Sequence, residues 1–210
     1  SPLGGGAVLL NMLLGEIAPG GVGSGLYGML VLALVAVFVG GLLVGRTPEF
    51  LGKKLRRREI TLAALTVLVM PALVLVGTGI TVILSPTTGY LGNSGDPGTP
   101  GAIHGFTEVL YAYASASNNN GSAFGGLTVT SDWFQSSLGM CMLLGRFLPI
   151  VFVLALAGSL ASQRRTPAGA GTLPTTGAAF AGLLTGTVVL VAALTFFPAL
   201  ALGPVAEALH

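Results

Sequence analysis

The amino-acid sequence predicts an all-α integral membrane protein, and three observations support this prediction. The chain has 210 residues, of which 52% are hydrophobic and 8% are charged, whereas soluble domains average about 25% charged residues. Four apolar stretches are long enough to cross a bilayer, which takes about 20 helical residues. Lys and Arg are concentrated in two short segments between these stretches. So few charges cannot cover a globular surface, and a soluble fold is therefore excluded.

The four apolar stretches give the expected transmembrane helices in chain order. They lie at 26–45, 60–84, 133–162 and 177–203. A fifth stretch, 103–127, is only mildly apolar and ends in an Asn-Gly-Ser cluster. A lipid-facing helix would not tolerate that cluster, because lipid offers no hydrogen-bond partners.

The basic residues predict the orientation of the helices. Six of the nine Lys and Arg residues lie in segment 46–59 and two more lie in segment 163–176. The positive-inside rule assigns both segments to the cytoplasm. If 103–130 crossed the bilayer, the two basic segments would face opposite sides, whereas a segment that enters and returns keeps them on one side. We therefore expect a re-entrant segment at 103–130, preceded by an extracytoplasmic loop at 85–102.

A pattern of short helix, glycine-containing loop and long helix occurs twice. The first copy is 1–45, with its loop GGVGSGLYG at 20–28, and the second copy lies in 60–162, with its loop in 103–130. The two loops align as GSGLYG beside GSAFGG, a weak internal repeat. The pattern predicts channel-like repeats of outer helix, re-entrant pore helix with filter loop, and inner helix. Span 177–203 is then an additional transmembrane helix.

The chemistry of the two loops favours a monovalent cation. Non-helical backbone at membrane depth persists only where it is buried in protein or lines a wet cavity. An ion filter needs inward-facing carbonyl oxygens, and glycine adopts the required conformations without a Cβ penalty. A calcium or magnesium site would need several carboxylates. Neither the loop GGVGSGLYG (20–28) nor the loop NNNGSAFGG (118–126) contains a carboxylate.

Two other interpretations of the glycines remain open from the sequence. Residues 23–28 fit G-x-G-x-x-G, with Glu49 about 20 residues onward as in dinucleotide sites. That motif is weak here, because no β-branched strand precedes it and the following helix is uniformly apolar. Glycines also mediate close helix packing in membranes, but such packing does not account for the asparagine run at 118–120.

Arg146 is the basic residue outside the two clusters, and it lies near the middle of span 133–162. An intramembrane charge is costly, so we expect its side chain to face the bundle interior or a wet cavity. The alternative is that Arg146 snorkels to the membrane surface. Pro149 favours a bend nearby, and Gly40 with Gly41 permits a kink or break in the first span.

The remaining reactive side chains do not form a catalytic set. Glu16 and Glu108 lie in or beside the short helices, without a partner carboxylate at catalytic spacing. Ser24 and Ser122 have no His and Asp companions and are poor nucleophiles. A single cysteine, Cys141, excludes a disulfide framework and a multi-cysteine transition-metal site.

Six segments together resemble a known family, the potassium-binding subunits of the bacterial Kdp potassium pump. They are GGVGSGLYGM (20–29), RTPEFLGKK (46–54), NNNGSAF (118–124), LLGRFLPI (143–150), AGTLPT (170–175) and LTFFPALALGP (194–204). The resemblance covers the whole chain. The family resembles four fused channel-type repeats, of which this chain would hold the third filter and inner helix, the whole fourth repeat and the final span. We therefore expect a C-terminal fragment that lacks the first two filters.

The resemblance implies a set of potassium-binding residues. Carried over residue by residue, the filters of repeats three and four fall on Val22, Gly23, Ser24, Asn119, Asn120, Gly121 and Ser122. The resemblance also makes span 26–45 an inner helix interrupted near its middle. From its position in span 133–162 we expect Arg146 to lie at the vestibule below the filter, and we expect Gly40 and Gly41 to act in gating.

The resemblance further implies the partners and the location. The chain would take up potassium ions and pass them to a P-type ATPase catalytic subunit, with one or more accessory subunits completing a pump in the bacterial inner membrane. ATP would be used by the partner, so this chain alone is not an enzyme and needs no organic cofactor; no nucleic-acid partner is expected. The alternatives are a Trk/Ktr-type potassium or sodium uptake channel subunit and a secondary transporter, which would need intramembrane carboxylates.

Overall fold

The architecture is that of a computed structural model, which describes residues 2–15, 20, 24–88, 105–127, 129–167 and 169–208. The helices are α1 (Pro2–Leu10, followed by a π-helical turn, Asn11–Gly15), α2 (Gly25–Leu43), α3 (Arg57–Thr88), α4 (Gly105–Ser117), α5 (Asp132–Ser162) and α6 (Ala178–Ala208). Between α2 and α3, strands β1 (Glu49–Phe50) and β2 (Lys53–Lys54) pair antiparallel in a short hairpin.

Four of the described helices, α2, α3, α5 and α6, are long and apolar enough to cross a membrane. The shortest, α2, has 19 residues, which at 1.5 Å per residue extends about 28 Å, close to the thickness of a bilayer core. The predicted all-α membrane class is therefore confirmed. Helix α4 has 13 residues, and its length of about 20 Å is too short for a crossing.

Helix α3 begins three residues before the predicted span, and a cap explains the difference. Glu59 lies in the first turn, and its Oε2 accepts a hydrogen bond from the backbone N–H of Arg56 at 2.9 Å. This is the reciprocal half of a capping box, in which the third helical residue satisfies the N–H of the residue before the helix. Ser159 of α5 donates to the other carboxylate oxygen of Glu59 at 2.5 Å. The buried Glu59 thus both starts α3 and joins it to α5.

The chain forms two compact units. The first contains Ser1–Glu16, Val69–Phe147 and Leu194–His210, and the second contains Ile17–Leu68 and Leu148–Ala193. Helices α3, α5 and α6 therefore contribute residues to both units, whereas α4 belongs to the first unit and α2 to the second.

An apolar core holds the second unit together. It lies between α2, the start of α3, the end of α5 and the residue that follows the β-hairpin, and its buried members are Val31, Leu34, Val37, Leu55, Ala63 and Leu156. Helix α2 is apolar on all sides, as is typical of a helix surrounded by protein or lipid.

In the same unit, the two basic segments are hydrogen-bonded to each other. Thr47 and Thr172 form a parallel β-bridge. Further bonds join Thr166 N to Gly52 O (2.8 Å), Lys54 N to the Gln163 side chain (3.1 Å), the Thr172 hydroxyl to Glu49 (3.1 Å), and the Lys53 side chain to Gln163 O. Segments 46–59 and 163–176 therefore lie at the same end of the second unit.

The predicted interruption of the first span is wrong. Helix α2 is continuous over Gly25–Leu43, including Gly40 and Gly41, and both glycines are buried. A Cβ on Gly40 would lie 2.6 Å from Leu183 of α6, and one on Gly41 would lie 3.1 Å from the carbonyl oxygen of Arg46. The two glycines admit close neighbours instead of breaking the helix, which tolerates each at a cost of about 1 kcal/mol.

Candidate ion-binding site

The short helix α4 is buried in the first unit, and glycines on three longer helices make room for it. Eleven of its 13 residues are buried. A Cβ on Gly77 of α3 would overlap the ring of Tyr113, one on Gly145 of α5 would overlap the carbonyl of Ser117, and one on Gly203 of α6 would lie 2.7 Å from Phe106. Small residues of this kind let helices approach closely where lipid supplies no driving force.

A chain of hydroxyl groups fixes α4 against α3 and α5. The Tyr113 hydroxyl lies 2.8 Å from the Thr81 hydroxyl and 2.7 Å from that of Ser137. Thr81 donates to Gly77 O at 2.9 Å and accepts from Trp133 Nε1 at 2.9 Å. Because each hydroxyl has one proton, Tyr113 donates to Thr81 and accepts from Ser137.

The chain leaves α4 through a left-handed C-terminal cap. Asn119 has φ 63°, and its N–H donates to Ala116 O at 3.0 Å while Asn120 N–H donates to Ser115 O at 2.9 Å. This bond pair is the Schellman motif, in which Asn is a common substitute for Gly. Gly121 follows with φ 75°, a conformation that glycine adopts without strain.

The loop that follows, Asn119–Ser122, is attached to the protein at both ends. At its start, Asn119 Nδ2 donates to Met142 O of α5 at 3.2 Å and Asn119 Oδ1 accepts from Arg146 Nε at 3.4 Å. At its end, the Ser122 hydroxyl lies 2.8 Å from that of Ser115 and 3.0 Å from that of Tyr111. The intervening residues Asn120 and Gly121 are exposed.

Charges of opposite sign act at the start of the loop. It follows the C-terminus of α4, where the helix dipole places about half a negative charge. The turn after α1 also lies here, because Asn120 Nδ2 donates to Met12 Sδ at 3.3 Å. Arg146 is the charged residue in direct contact with Asn119.

The predicted site residues are not all in one place. Asn119, Asn120, Gly121, Ser122 and Arg146 lie together in the first unit. Ser24 lies in the second unit, directly before α2, where its carbonyl accepts from Gly28 N–H at 3.0 Å. Gly40 and Gly41 lie in the second unit too. The predictions for Val22, Gly23 and Glu16 concern residues outside the described ranges.

Sequence reasoning did not identify the residues that hold the loop, chiefly Tyr111 and Ser115. A signal was present, since these two hydroxyl-bearing residues are four apart in a short helix and therefore share one face. Gly145 was likewise missed, although it directly precedes Arg146.

Comparison with known proteins identifies the family. A family model described as the potassium-transporting ATPase A subunit matches residues 1–209. The chain belongs to this family. The chain is 88% identical over 210 residues to the potassium-transporting ATPase potassium-binding subunit of Rhodococcus jostii (strain RHA1), with 100% of this chain and 37% of that protein covered.

More distant members agree with this A-subunit assignment. The potassium-transporting ATPase potassium-binding subunit of Streptomyces coelicolor is 63% identical over 207 residues, with 99% of this chain and 36% of the relative covered. The family inferred from the six sequence segments is therefore confirmed. The chain spans a little over a third of the length of these relatives.

Proposed function

We propose that this chain is part of the potassium-binding subunit of an ATP-driven potassium uptake pump and that Asn119–Ser122 is one wall of its ion filter. The observation that carries the proposal is the loop itself. It leaves the C-terminus of a buried short helix, adopts left-handed backbone at Asn119 and Gly121, and is attached at both ends. By the resemblance, Val22, Gly23 and Ser24 form the wall contributed by the preceding repeat.

The loop suits a dehydrated monovalent cation for two reasons. Backbone carbonyl and amide oxygens replace the hydration shell of potassium without the strong field of a carboxylate. The negative end of the α4 dipole attracts a cation at the start of the loop and partly offsets the repulsion from Arg146. Potassium is thus the cargo of the site, and no organic cofactor is needed for this step.

We also propose that segments 46–59 and 163–176 are both cytoplasmic and that 103–130 is re-entrant. The hydrogen bonds between the two basic segments support this topology, as does the length of α4. In a Cys141→Ala background, an impermeant thiol reagent added outside cells should label Gly125→Cys and leave Thr47→Cys unlabelled. Labelling of Thr47→Cys alone would show that the topology is the reverse of the one proposed.

The partners follow from the family. A P-type ATPase catalytic subunit would hydrolyse ATP, accessory subunits would complete the complex, and the A subunit would bind and conduct the ion as a multi-pass protein of the bacterial inner membrane. The named relatives are subunits of a potassium-transporting ATPase, which favours this pump over a Trk/Ktr-type channel.

Arg146 would act at the vestibule beside the filter. Its guanidinium lies next to the loop through Asn119, and a positive charge there lowers the local occupancy of cations by Coulomb repulsion. Such a charge would oppose the passive flow of potassium ions through the filter. The filter would then serve as the entrance to a pump and would not form an open channel.

The filter assignment is tested with Gly121→Asp in the complete pump. An aspartate is strained at φ 75° and adds a charge beside the ion, so we expect the potassium concentration for half-maximal ATPase activity to rise at least about tenfold. Gly169→Asp is the matched control, because Gly169 is exposed and a Cβ there meets no atom within 4 Å. Unchanged potassium dependence in Gly121→Asp would contradict the proposal.

A further inference from the structure

We propose that Ser115 is a positioning residue that, together with Tyr111, sets the ion affinity and selectivity of the loop. The two α4 residues would do this by holding Ser122 in place through hydrogen bonds. This inference rests on the proposed function of the loop. The three residues are named here the hydroxyl clamp.

A single atom of Ser115 holds Ser122 twice. Ser115 Oγ lies 2.8 Å from Ser122 Oγ and accepts the Ser122 backbone N–H at 2.8 Å. The Tyr111 hydroxyl makes a further contact with Ser122 Oγ at 3.0 Å. Both the backbone N–H and the side-chain hydroxyl of Ser122 are therefore directed toward α4.

The side-chain hydroxyl groups of the hydroxyl clamp are hydrogen-bonded to one another. Ser115 is fully buried and Tyr111 is 5% exposed. A serine hydroxyl has one proton and two lone pairs, so Ser122 Oγ can donate to one of its two neighbours and accept from the other. The proton and one lone pair of this hydroxyl are thus engaged with α4, so its position is fixed beside the backbone oxygens of the exposed loop that are offered to an ion.

The clamp is separate from the contacts that seat α4. Tyr111 and Ser115 are four residues apart and share a helix face, whereas Tyr113 is turned by about 200° from Tyr111. Tyr113 points to Thr81 and Ser137 on the long helices. One face of α4 thus holds the helix in place and the other holds the loop, and substitutions can separate the two roles.

The first test is Ser115→Ala against Ser117→Ala in the complete pump. Both serines are buried in α4, but the Ser117 hydroxyl donates to Ala114 O of its own helix at 3.1 Å. In Ser115→Ala the Ser122 N–H loses its acceptor, so the half-maximal potassium concentration should rise about tenfold. Discrimination against rubidium and sodium should fall, and the maximal ATPase rate should stay within about twofold. Ser117→Ala should leave the affinity and the discrimination unchanged.

A second pair of variants keeps the proposal testable if Ser115→Ala does not assemble. Tyr111→Phe retains the ring beside Phe124, where the ring centroids are 4.3 Å apart, and removes one hydroxyl of the clamp. It should raise the half-maximal potassium concentration about threefold, because one hydrogen bond is lost. Tyr113→Phe should lower the thermal stability of the pump without changing potassium affinity.

The outcomes separate this inference from the proposed function. If Gly121→Asp changes the potassium dependence while Ser115→Ala and Tyr111→Phe behave as wild type, the hydroxyl clamp is overturned and the filter assignment stands. If none of the three variants changes it, both are overturned. Equal shifts in Ser115→Ala and Ser117→Ala would indicate general damage to α4 and would also overturn the clamp.

Discussion

Helices α2 and α4 both lie among protein neighbours, yet their buried side chains differ in kind. Those of α2 are all apolar residues or glycine, whereas α4 buries Glu108, Ser115 and Ser117 along its length. A buried polar group is costly unless it is hydrogen-bonded. The comparison teaches that α2 needs only to pack against its neighbours, while α4 also uses one of its buried polar groups, Ser115, to hold a loop in a fixed conformation.

The same contrast extends to the glycines. Gly40 of α2 meets the end of a flexible leucine side chain, whereas Gly145 meets the backbone of α4. A side chain can rotate away from an added methyl group, but a helix backbone must move as a whole. Substitutions at these glycines should therefore have unequal effects.

The largest effect is expected for Gly145→Ala, because the new Cβ would overlap the Ser117 carbonyl at the end of α4. We expect overpacking to destabilise the pump by about 3 kcal/mol or more, since the backbone itself must shift. Thermal unfolding and the yield of assembled complex measure it. Gly139→Ala, on the same helix with no atom within 4 Å of the added Cβ, should be neutral. Equal behaviour of the two variants would contradict the close approach.

An intermediate effect is expected for Arg146→Gln, which removes the charge beside the loop and keeps a side-chain donor for Asn119. If the charge guards the vestibule, ATP-independent potassium flux through reconstituted pump should rise about tenfold, as loss of Coulomb repulsion in a narrow vestibule implies. Arg146→Lys retains the charge and is the control. Electrical recordings with and without ATP measure the flux, and wild-type currents in Arg146→Gln would exclude the guarding role.

The smallest effect is expected for Gly40→Ala in α2. The added methyl group contacts Leu183 Cδ2, and its overpacking cost is partly offset by the better helix propensity of alanine, leaving about 1 kcal/mol. Leu183→Ala should remove the clash, so the double variant should be more stable than the sum of the two single changes predicts. Additive losses in thermal unfolding would show that the two residues do not touch.

Much of the fold could be predicted because its signals are local. Apolar length identifies the four spans, and charge placement separates the basic segments from the rest. The start of α3 was misplaced because its cap depends on Glu59 within a run of basic residues. The interruption predicted for the first span was wrong because glycine has two uses in membrane helices, and spacing alone does not distinguish a break, which Gly40 and Gly41 would permit, from a close contact.

The position of the candidate loop followed from the sequence by itself, since glycine and asparagine at the end of a short apolar helix exclude a lipid-facing crossing. Only the tertiary structure decided how the loop is held. Gly77, Gly145 and Gly203 come from three different helices, and nothing in the spacing of the sequence indicates that all three meet α4. The hydroxyl clamp needed atomic positions as well, because a hydrogen bond depends on distance and direction and not on residue type alone.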